Sequence, residues 1–184
     1  MPKNLRRIAL IVVFVAVIAA GPIAFLDYFL PHHAVLRVVG SEVKRFGTKG
    51  NTPNAQNPNA PTHDVYYVYA EDLDSKAPRV FRNEDTGWGF PWYFKFNSAD
   101  LQATAQSIAG ERGTALFTYY GWRIQMLTLM PNVTKIVRAA PDASTFPWFN
   151  LVFFTVLIGG ITWLFFRVRG LWNWLTSKLK FRRS

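Results

Sequence analysis

The sequence predicts an α+β protein in which two transmembrane helices flank a small, mainly antiparallel β domain with one helix. Three observations predict this class. Two long apolar runs lie near the two ends of the 184-residue chain. Between them, short segments rich in β-branched and aromatic residues are separated by turn formers, which is typical of strands. One stretch of this middle region has the spacing of an amphipathic helix.

The first apolar run covers residues 8–30 and follows a basic N-terminus at residues 1–7. At a rise of about 1.5 Å per residue, a helix of this length crosses a hydrocarbon core of about 30 Å. A cleaved signal peptide is the alternative, because it also combines basic residues with an apolar stretch. The run is longer than usual for a signal peptide, and cleavage after Gly21 would leave Pro22 at an unfavourable first position. We therefore expect an uncleaved anchor.

The second apolar run covers residues 146–166 and carries one tryptophan near each edge, Trp148 and Trp163. Tryptophan favours the headgroup level of a bilayer, so both are predicted membrane anchors. Residues 167–184 form a basic amphipathic tail in which Trp172 is a third predicted anchor. Such a tail is typical of a helix that lies on anionic cytoplasmic lipid, and the alternative is a frayed stop-transfer tail.

Small residues in both runs are candidates for helix packing. Ala16, Ala20 and Ala24 lie on one face of the first helix, and Gly159 and Gly160 are adjacent in the second. Small residues let helix backbones approach closely, which favours packing between the two spans or with a partner. The alternative is that such residues are simply common in membrane helices.

The positive charge is concentrated at the two ends of the chain. The formal net charge is +10, and nine Lys and Arg residues outside the middle region have no acidic neighbours. Residues 30–150 hold twelve Lys and Arg against ten Asp and Glu, so the domain is nearly neutral. The positive-inside rule then predicts that both termini are cytoplasmic and that the domain at residues 31–145 is periplasmic. The same distribution argues against a nucleic-acid partner.

The strands of the domain are predicted from runs of β-branched and aromatic residues. Five or six strands are expected in segments 34–47 (with a break near Gly40), 64–74, 78–85, 87–96, 114–130 and 132–140. Residues 97–110 are the one clear helix, beginning near Ser98 and ending near Gly110. Residues 48–63 hold many Pro and Asn and no large apolar side chain, so they are expected to form a mobile surface loop that is dispensable for folding.

Four stretches of the sequence carry a family resemblance. They are FRNEDTGWGFPWYFKFNSADLQA, TYYGWR, MPN and PWFN, and the resemblance covers most of the chain, from the first span to the second. In these stretches the chain resembles a bacterial family known as a domain of unknown function (number fifteen twenty-three). The resemblance is weakest in the Pro- and Asn-rich loop. It implies a small bacterial inner-membrane protein and brings no established activity, so it assigns no catalytic residue.

Metal and thiol chemistry find little support in the sequence. The chain has no cysteine, which excludes disulfides, thiolate catalysis and cysteine-bound zinc. His32 and His33 together with His63 and Asp64 are the only metal-like groups. Zinc needs three or four convergent ligands, and adjacent histidines at a membrane edge are better explained as interfacial polar residues. We therefore predict no metal and no cofactor.

Five carboxylates lie within fifteen residues, at Glu71, Asp72, Asp74, Glu84 and Asp85. Paired carboxylates perform acid–base catalysis in hydrolases, so a hydrolase that uses residues 71–85 is one hypothesis for the function. Basic residues are interspersed at Lys76, Arg79 and Arg82, which favours ion pairs within a hairpin instead. No catalytic residue is assigned.

Aromatic residues are the strongest candidates for binding. If residues 87–96 form a strand, side chains alternate, so Trp92, Phe94 and Phe96 face the core and Lys95 faces water. Trp88, before Pro91, is then the exposed contact. Aromatic and arginine side chains dominate binding hot spots. The interaction candidates are Trp88, Phe90, Tyr93, Tyr120, Trp122 and Arg123.

Three functions are compatible with this sequence. The leading one is a non-enzymatic, membrane-anchored accessory or assembly protein whose periplasmic domain docks on a partner membrane complex or on the bilayer surface. The second is a periplasmic small-ligand or lipid-binding module with the same aromatics lining a pocket. The third is the hydrolase. The expected partners are membrane lipid and an integral membrane protein. A homo-oligomer is also compatible with the sequence.

Overall fold

A computed structural model describes residues 3–47 and 62–181 of the chain. It contains two compact units, residues 1–146 and 147–184. The first begins with helix α1 (Lys3–Phe29), and the second consists of helix α3 (Trp148–Phe181). By length and composition both helices are long and apolar enough to cross a membrane, over Leu5–Phe29 and Trp148–Trp174. The prediction of two apolar helices flanking a small β domain is confirmed.

Five strands follow α1 in the first unit and close into a barrel in the order β1-β2-β3-β5-β4. Their bounds are β1 (His32–Gly47), β2 (Thr62–Asp72), β3 (Pro78–Asn83), β4 (Thr114–Tyr120) and β5 (Asn132–Arg138). Neighbouring strands are antiparallel except β3 and β5, which pair in parallel at Arg82 and Asn132. Helix α2 (Ser98–Gly110) lies between β3 and β4. A closed barrel of five strands does not by itself indicate a ligand.

Barrel closure depends on β1, which has 16 residues. Its first part, His32–Arg37, pairs with β4, and its second part, from Leu36 onwards, pairs with β2. The register shifts between Val38 and Gly40, which confirms the break predicted near Gly40. A bulge increases the local twist and bend of a strand, so one long strand serves both sides of the barrel.

The core is built from alternate residues of the strands and one face of α2. Val38, Val68, Phe81, Phe117 and Val133 are fully buried, and the rings of Phe81 and Phe117 stack with centroids 5.0 Å apart. From α2, the residues Leu101, Ala105 and Ile108 complete this cluster at the spacing of one helical face. The helix predicted at residues 97–110 is confirmed.

The strand predicted at residues 87–96 is wrong. This segment is irregular, with left-handed backbone at Gly87 and Phe94. The predicted sides are reversed as well, since Lys95 is 4% exposed and Trp92 is 69% exposed. Phe94 and Phe96, also predicted to be core residues, are exposed. The physical reason is that Pro91 has no N–H to donate to a strand, and the glycines around Trp88 permit turns.

Three other boundaries differ from the sequence-based expectation. The segment 114–130 is strand only as far as Tyr120, and it continues as a hairpin that contains a 3-10 helix, Gln125–Leu127. Of the predicted loop 48–63, residues 48–61 lie outside the described part of the chain, and Thr62 and His63 belong to β2. The tail predicted as a separate amphipathic helix continues α3 without a break to Phe181.

Candidate functional site

Hydrogen bonds from separate parts of the chain join the end of α1 to the barrel. The amide N–H of Gly121 donates to the carbonyl oxygen of Tyr28 at 2.8 Å, and the hydroxyl of Tyr93 donates to the carbonyl oxygen of Phe29 at 2.6 Å. The indole N–H of Trp122 donates to a carboxylate oxygen of Asp27 at 2.7 Å. The last carbonyls of a helix lack partners within it, and here those of Tyr28 and Phe29 accept hydrogen bonds from outside the helix.

Aromatic rings pack around the same junction. The ring of Phe90 lies 4.5 Å from that of Phe29 and 6.0 Å from that of Phe25, both on α1. The ring of Tyr93 stacks on Tyr120 at 4.8 Å, with 9° between the planes. On the other side, Trp122 meets Tyr28 edge to face at 5.4 Å. The candidate residues Phe90, Tyr93, Tyr120 and Trp122, from two separate segments, therefore all lie near the end of α1.

The segment at residues 87–96, which we call the aromatic loop, exposes large rings that contact one another in two groups. Trp88 is 79% exposed, and its ring contacts those of Phe94 and Phe96 at 5.7 and 5.3 Å. Phe90 and Trp92 contact each other edge to face at 5.4 Å, and both are exposed. The rings thus pack on one another while facing outward. Large exposed apolar patches mark protein or membrane contacts.

A buried lysine fastens the aromatic loop to the barrel. The ammonium of Lys95 donates hydrogen bonds to the side-chain oxygen of Asn83 and to the carbonyl oxygens of Glu84 and Val133. Burial lowers the pKa of Lys95 to about 8, against the opposing effect of the carboxylates of Asp85 and Glu84. Three acceptors match the three N–H bonds of the ammonium. Sequence reasoning missed this residue, although a lone lysine within a run of aromatics was a signal for it.

Asn83 and Asn132 extend the hydrogen-bond network around Lys95. We call these three residues and their hydrogen bonds the polar clamp. The fully buried Asn83 amide donates to the carbonyl oxygen of Ser98 at 2.8 Å. The Asn132 amide donates to the carbonyl oxygen of Glu84 and to the hydroxyl of Tyr120, both at 3.0 Å. Its side-chain oxygen accepts from the N–H of Glu84 at 2.9 Å. Because buried polar groups need partners, the network fixes how the loop leaves β3.

The segment at residues 121–131, which we call the hairpin, leaves β4 beside α1. It is closed by backbone hydrogen bonds between Ile124 and Leu129, and a guanidinium N–H of Arg123 donates to the carbonyl oxygen of Leu129 at 2.9 Å. At its tip, Met126 is 95% exposed and Leu127 is exposed too. Sequence analysis singled out Trp122 and Arg123 here and missed the tip.

Four of the five carboxylates of residues 71–85 have structural partners. Glu71 pairs with Arg37 of β1 at 2.9 Å, and Glu84 pairs with Arg82. Asp72 accepts hydrogen bonds from the backbone of the turn that follows, which lowers the pKa of its carboxyl. Asp85 accepts from the backbone and the hydroxyl of Ser98. These contacts lie on different elements of the barrel.

The histidines near the end of α1 have non-metal contacts. A ring nitrogen of His32 lies 2.8 Å from the carbonyl oxygen of Asp27, and its ring stacks on Tyr119. A ring nitrogen of His33 lies 3.2 Å from the hydroxyl of Thr118, and burial lowers the pKa of His33. Within the described part of the chain, no group of three or more His, Asp or Glu is placed to hold a metal ion. The side chain of His63 lies outside that part.

The predicted packing and anchor residues lie on the apolar helices. On α1, Ala16 and Ala20 are exposed and Ala24 is half-buried. On α3, Trp148, Trp163 and Trp172 are exposed, and Arg167 lies over the Trp163 ring at 5.6 Å. Added Cβ atoms at Gly159 and Gly160 would meet no atom within 4 Å. Helix packing and membrane anchoring by these residues stay predictions.

Comparison with known families confirms the family resemblance. The family described as Protein of unknown function (DUF1523) matches residues 5–174. The chain belongs to this family. It is also similar to an uncharacterized protein of Haemophilus influenzae (strain ATCC 51907 / DSM 11121 / KW20 / Rd), with 39% identity over 152 residues, which cover 82% of this chain and 85% of that protein. No solved structure matches. Membership of the DUF1523 family brings no activity, so function is argued from the junction itself.

Proposed function

We propose that this protein is a non-enzymatic accessory module of the bacterial inner membrane whose barrel is docked on the bilayer surface by the aromatic loop. In this proposal α1 and α3 both cross the membrane, both termini are cytoplasmic and the barrel is periplasmic. The uncompensated basic residues at the ends of the chain support that orientation. An accessory role is consistent with a domain that exposes the rings of the aromatic loop for contact with another surface.

The observation that carries the proposal is the contact between Phe90 and α1. The Phe90 ring packs on Phe29 and on Phe25, which lies one turn earlier in the helix. One helical turn is about 5.4 Å, so a ring that reaches Phe25 lies about that far below the end of α1. Interfacial apolar groups insert about 5–10 Å into the headgroup and acyl boundary. If α1 spans the bilayer, the aromatic loop lies at this depth.

The composition of the loop supports the same location. Tryptophan and tyrosine are enriched where membrane meets water, because their rings have an apolar body and a polar edge. The one charged residue of the loop, Lys95, is buried in the polar clamp, so no charge has to enter the lipid. A small-ligand pocket lined by these rings is less well supported, because most of them face outward.

Orientation is tested with reporter fusions. A reporter that is active only in the periplasm is expected to work when inserted within residues 48–61 and to fail when fused after residue 184. The mass of the mature protein is measured in parallel, because cleavage near Pro22 would remove the anchor. The opposite reporter pattern, or a processed N-terminus, contradicts the proposed topology.

Docking by the aromatic loop is tested by spin labelling, for which the chain is well suited because it has no cysteine. The full chain carrying Trp88→Cys is labelled and reconstituted in phospholipid vesicles. The label is expected to be more accessible to oxygen, which enters lipid, than to a nickel chelate, which stays in water. Gln106→Cys, on an exposed position of α2, is the aqueous control. A Trp88 label as accessible to nickel as the control contradicts bilayer docking.

A further inference from the structure

We infer that the hairpin at residues 121–131 is a second insertion element, with Met126 and Leu127 in the acyl layer and Arg123 at the phosphate groups of phospholipid. This inference rests on the proposed docking of the barrel on the bilayer and adds a separate point of attachment to it. The hairpin inserts directly into the lipid leaflet beside α1.

The course of β4 directs the hairpin toward the end of α1. β1 begins at His32, three residues after α1 ends at Phe29, and β4 is antiparallel to it with Tyr119 opposite His32. β4 therefore runs toward the junction, and the chain passes it at Gly121, whose N–H bonds to Tyr28. The hairpin follows directly. It leaves the barrel on the Tyr28 side of α1, whereas the aromatic loop contacts Phe25 and Phe29.

The hairpin holds its apolar tip in a defined shape. Backbone hydrogen bonds of 3.2 and 3.1 Å join Ile124 and Leu129, and Thr128 has left-handed backbone that closes the 3-10 turn. These bonds fix the shape of the turn that exposes Met126 and Leu127. Burying apolar side chains in an apolar medium is favourable, and lipid next to the junction provides such a medium.

Charge complementarity points to phospholipid as the occupant. Residues 121–131 include one basic residue, Arg123, and no acidic residue. Among the ion pairs of the described residues none involves Arg123, and its exposed guanidinium spends one N–H on Leu129. Arginine binds phosphate in a bidentate way, so its remaining donors suit a lipid phosphate. A contact surface for another protein's apolar helices would not require this cation.

The depth of the tip is measured in the full chain reconstituted in vesicles that contain no other protein. Met126→Cys carries the spin label, and the side chain it replaces is almost fully exposed, so folding does not depend on it. We expect the label at Met126 to favour oxygen over the nickel chelate, as the label at Trp88 does, with Gln106→Cys again as the aqueous control. A Met126 label that behaves like the control overturns the inference.

The two proposals fail in distinguishable ways. If the Trp88 label lies in lipid and the Met126 label in water, bilayer docking stands and the second insertion point is lost. If both labels lie in water, docking itself is contradicted. A tip that becomes protected from both reagents only when native membrane extract is added would assign the hairpin to a protein partner, which also overturns lipid insertion.

The contribution of Arg123 is tested in the Met126→Cys background. We expect Arg123→Glu to lower the ratio of oxygen to nickel accessibility by about twofold or more in anionic vesicles, because an acidic side chain is repelled by the lipid phosphates. Arg123→Lys, which keeps the charge, is the matched control and should retain most of the ratio. Equal ratios in the Glu and Lys variants would remove the phosphate contact from the inference.

Discussion

The hydroxyl of Tyr93 donates a 2.6 Å hydrogen bond to the main-chain carbonyl oxygen of Phe29, the last residue of α1. Sixty-four residues separate the two in sequence. The Tyr93 ring also stacks on Tyr120, and burial among these groups raises the pKa of the Tyr93 hydroxyl. One side chain of the aromatic loop thereby connects the apolar helix with the barrel.

Removing the hydroxyl of Tyr93 isolates that connection. Tyr93→Phe keeps the stacked ring and leaves the Phe29 carbonyl oxygen without this donor, so we expect a loss of about 1 kcal/mol in the free energy of unfolding. Denaturant titration of the full chain in detergent micelles measures it. Tyr119→Phe is the control, because the Tyr119 hydroxyl makes no hydrogen bond among the described residues. Equal losses in both variants would show that the Phe29 contact contributes nothing specific.

The buried Lys95 predicts a stability that rises with pH. Its pKa is about 8 when folded against an ordinary 10.5 when unfolded. Between these values the unfolded chain binds more protons, so stability increases with pH, by roughly 3 kcal/mol in total for this residue. Below pH 8 both states carry the charge, and the full cost of burying it is present.

The measurement is the difference in unfolding free energy between the wild type and Lys95→Met from pH 7 to pH 10.5. Taking the difference cancels the tyrosines, which titrate in both proteins. The wild type should gain on the variant throughout this interval. A constant difference would mean that Lys95 has the same pKa in the folded and unfolded chains.

Truncating Trp92 and truncating Phe117 compares an exposed position with a core position. Trp92 is exposed, so Trp92→Ala is expected to cost less than about 1 kcal/mol in micelles. Phe117 is fully buried against Phe81, so Phe117→Ala is expected to cost about 3–5 kcal/mol. Thermal unfolding of both variants in the same detergent compares them. A large loss for Trp92→Ala would restore the core position that strand alternation predicted for it.

Gly121 is a position where the backbone requires glycine. Its φ is +92°, and an added Cβ would lie 3.4 Å from the Cα of Pro131 and 3.5 Å from the Tyr28 ring. Gly121→Ala should therefore cost roughly 1–3 kcal/mol in unfolding free energy. Gly110→Ala, in an open position at the end of α2, is the matched control and should be neutral or slightly stabilising. Similar effects in the two variants would show that Gly121 is not strained by a side chain.

The features that depend on local pattern could be predicted from the order of the amino acids. The two apolar helices, the break in β1 near Gly40 and the helix at α2 all follow from composition and periodicity, because each is set by residues close together in the chain. Family membership was likewise readable from contiguous stretches around the aromatic loop. Of the candidate site residues, Phe90, Tyr93, Tyr120 and Trp122 were selected for their chemistry and do lie at the junction.

The closure of the barrel and the sides of the aromatic loop depend on contacts between distant parts of the chain. Closure rests on the pairing of Arg82 with Asn132, fifty residues apart, which no local pattern encodes. The loop contradicted simple alternation because Lys95 finds three acceptors from distant parts of the chain, including Asn83 and Val133. Those hydrogen bonds offset part of the cost of burying the charge. The neighbouring rings of the aromatic loop face outward, because Lys95 attaches the loop to the barrel.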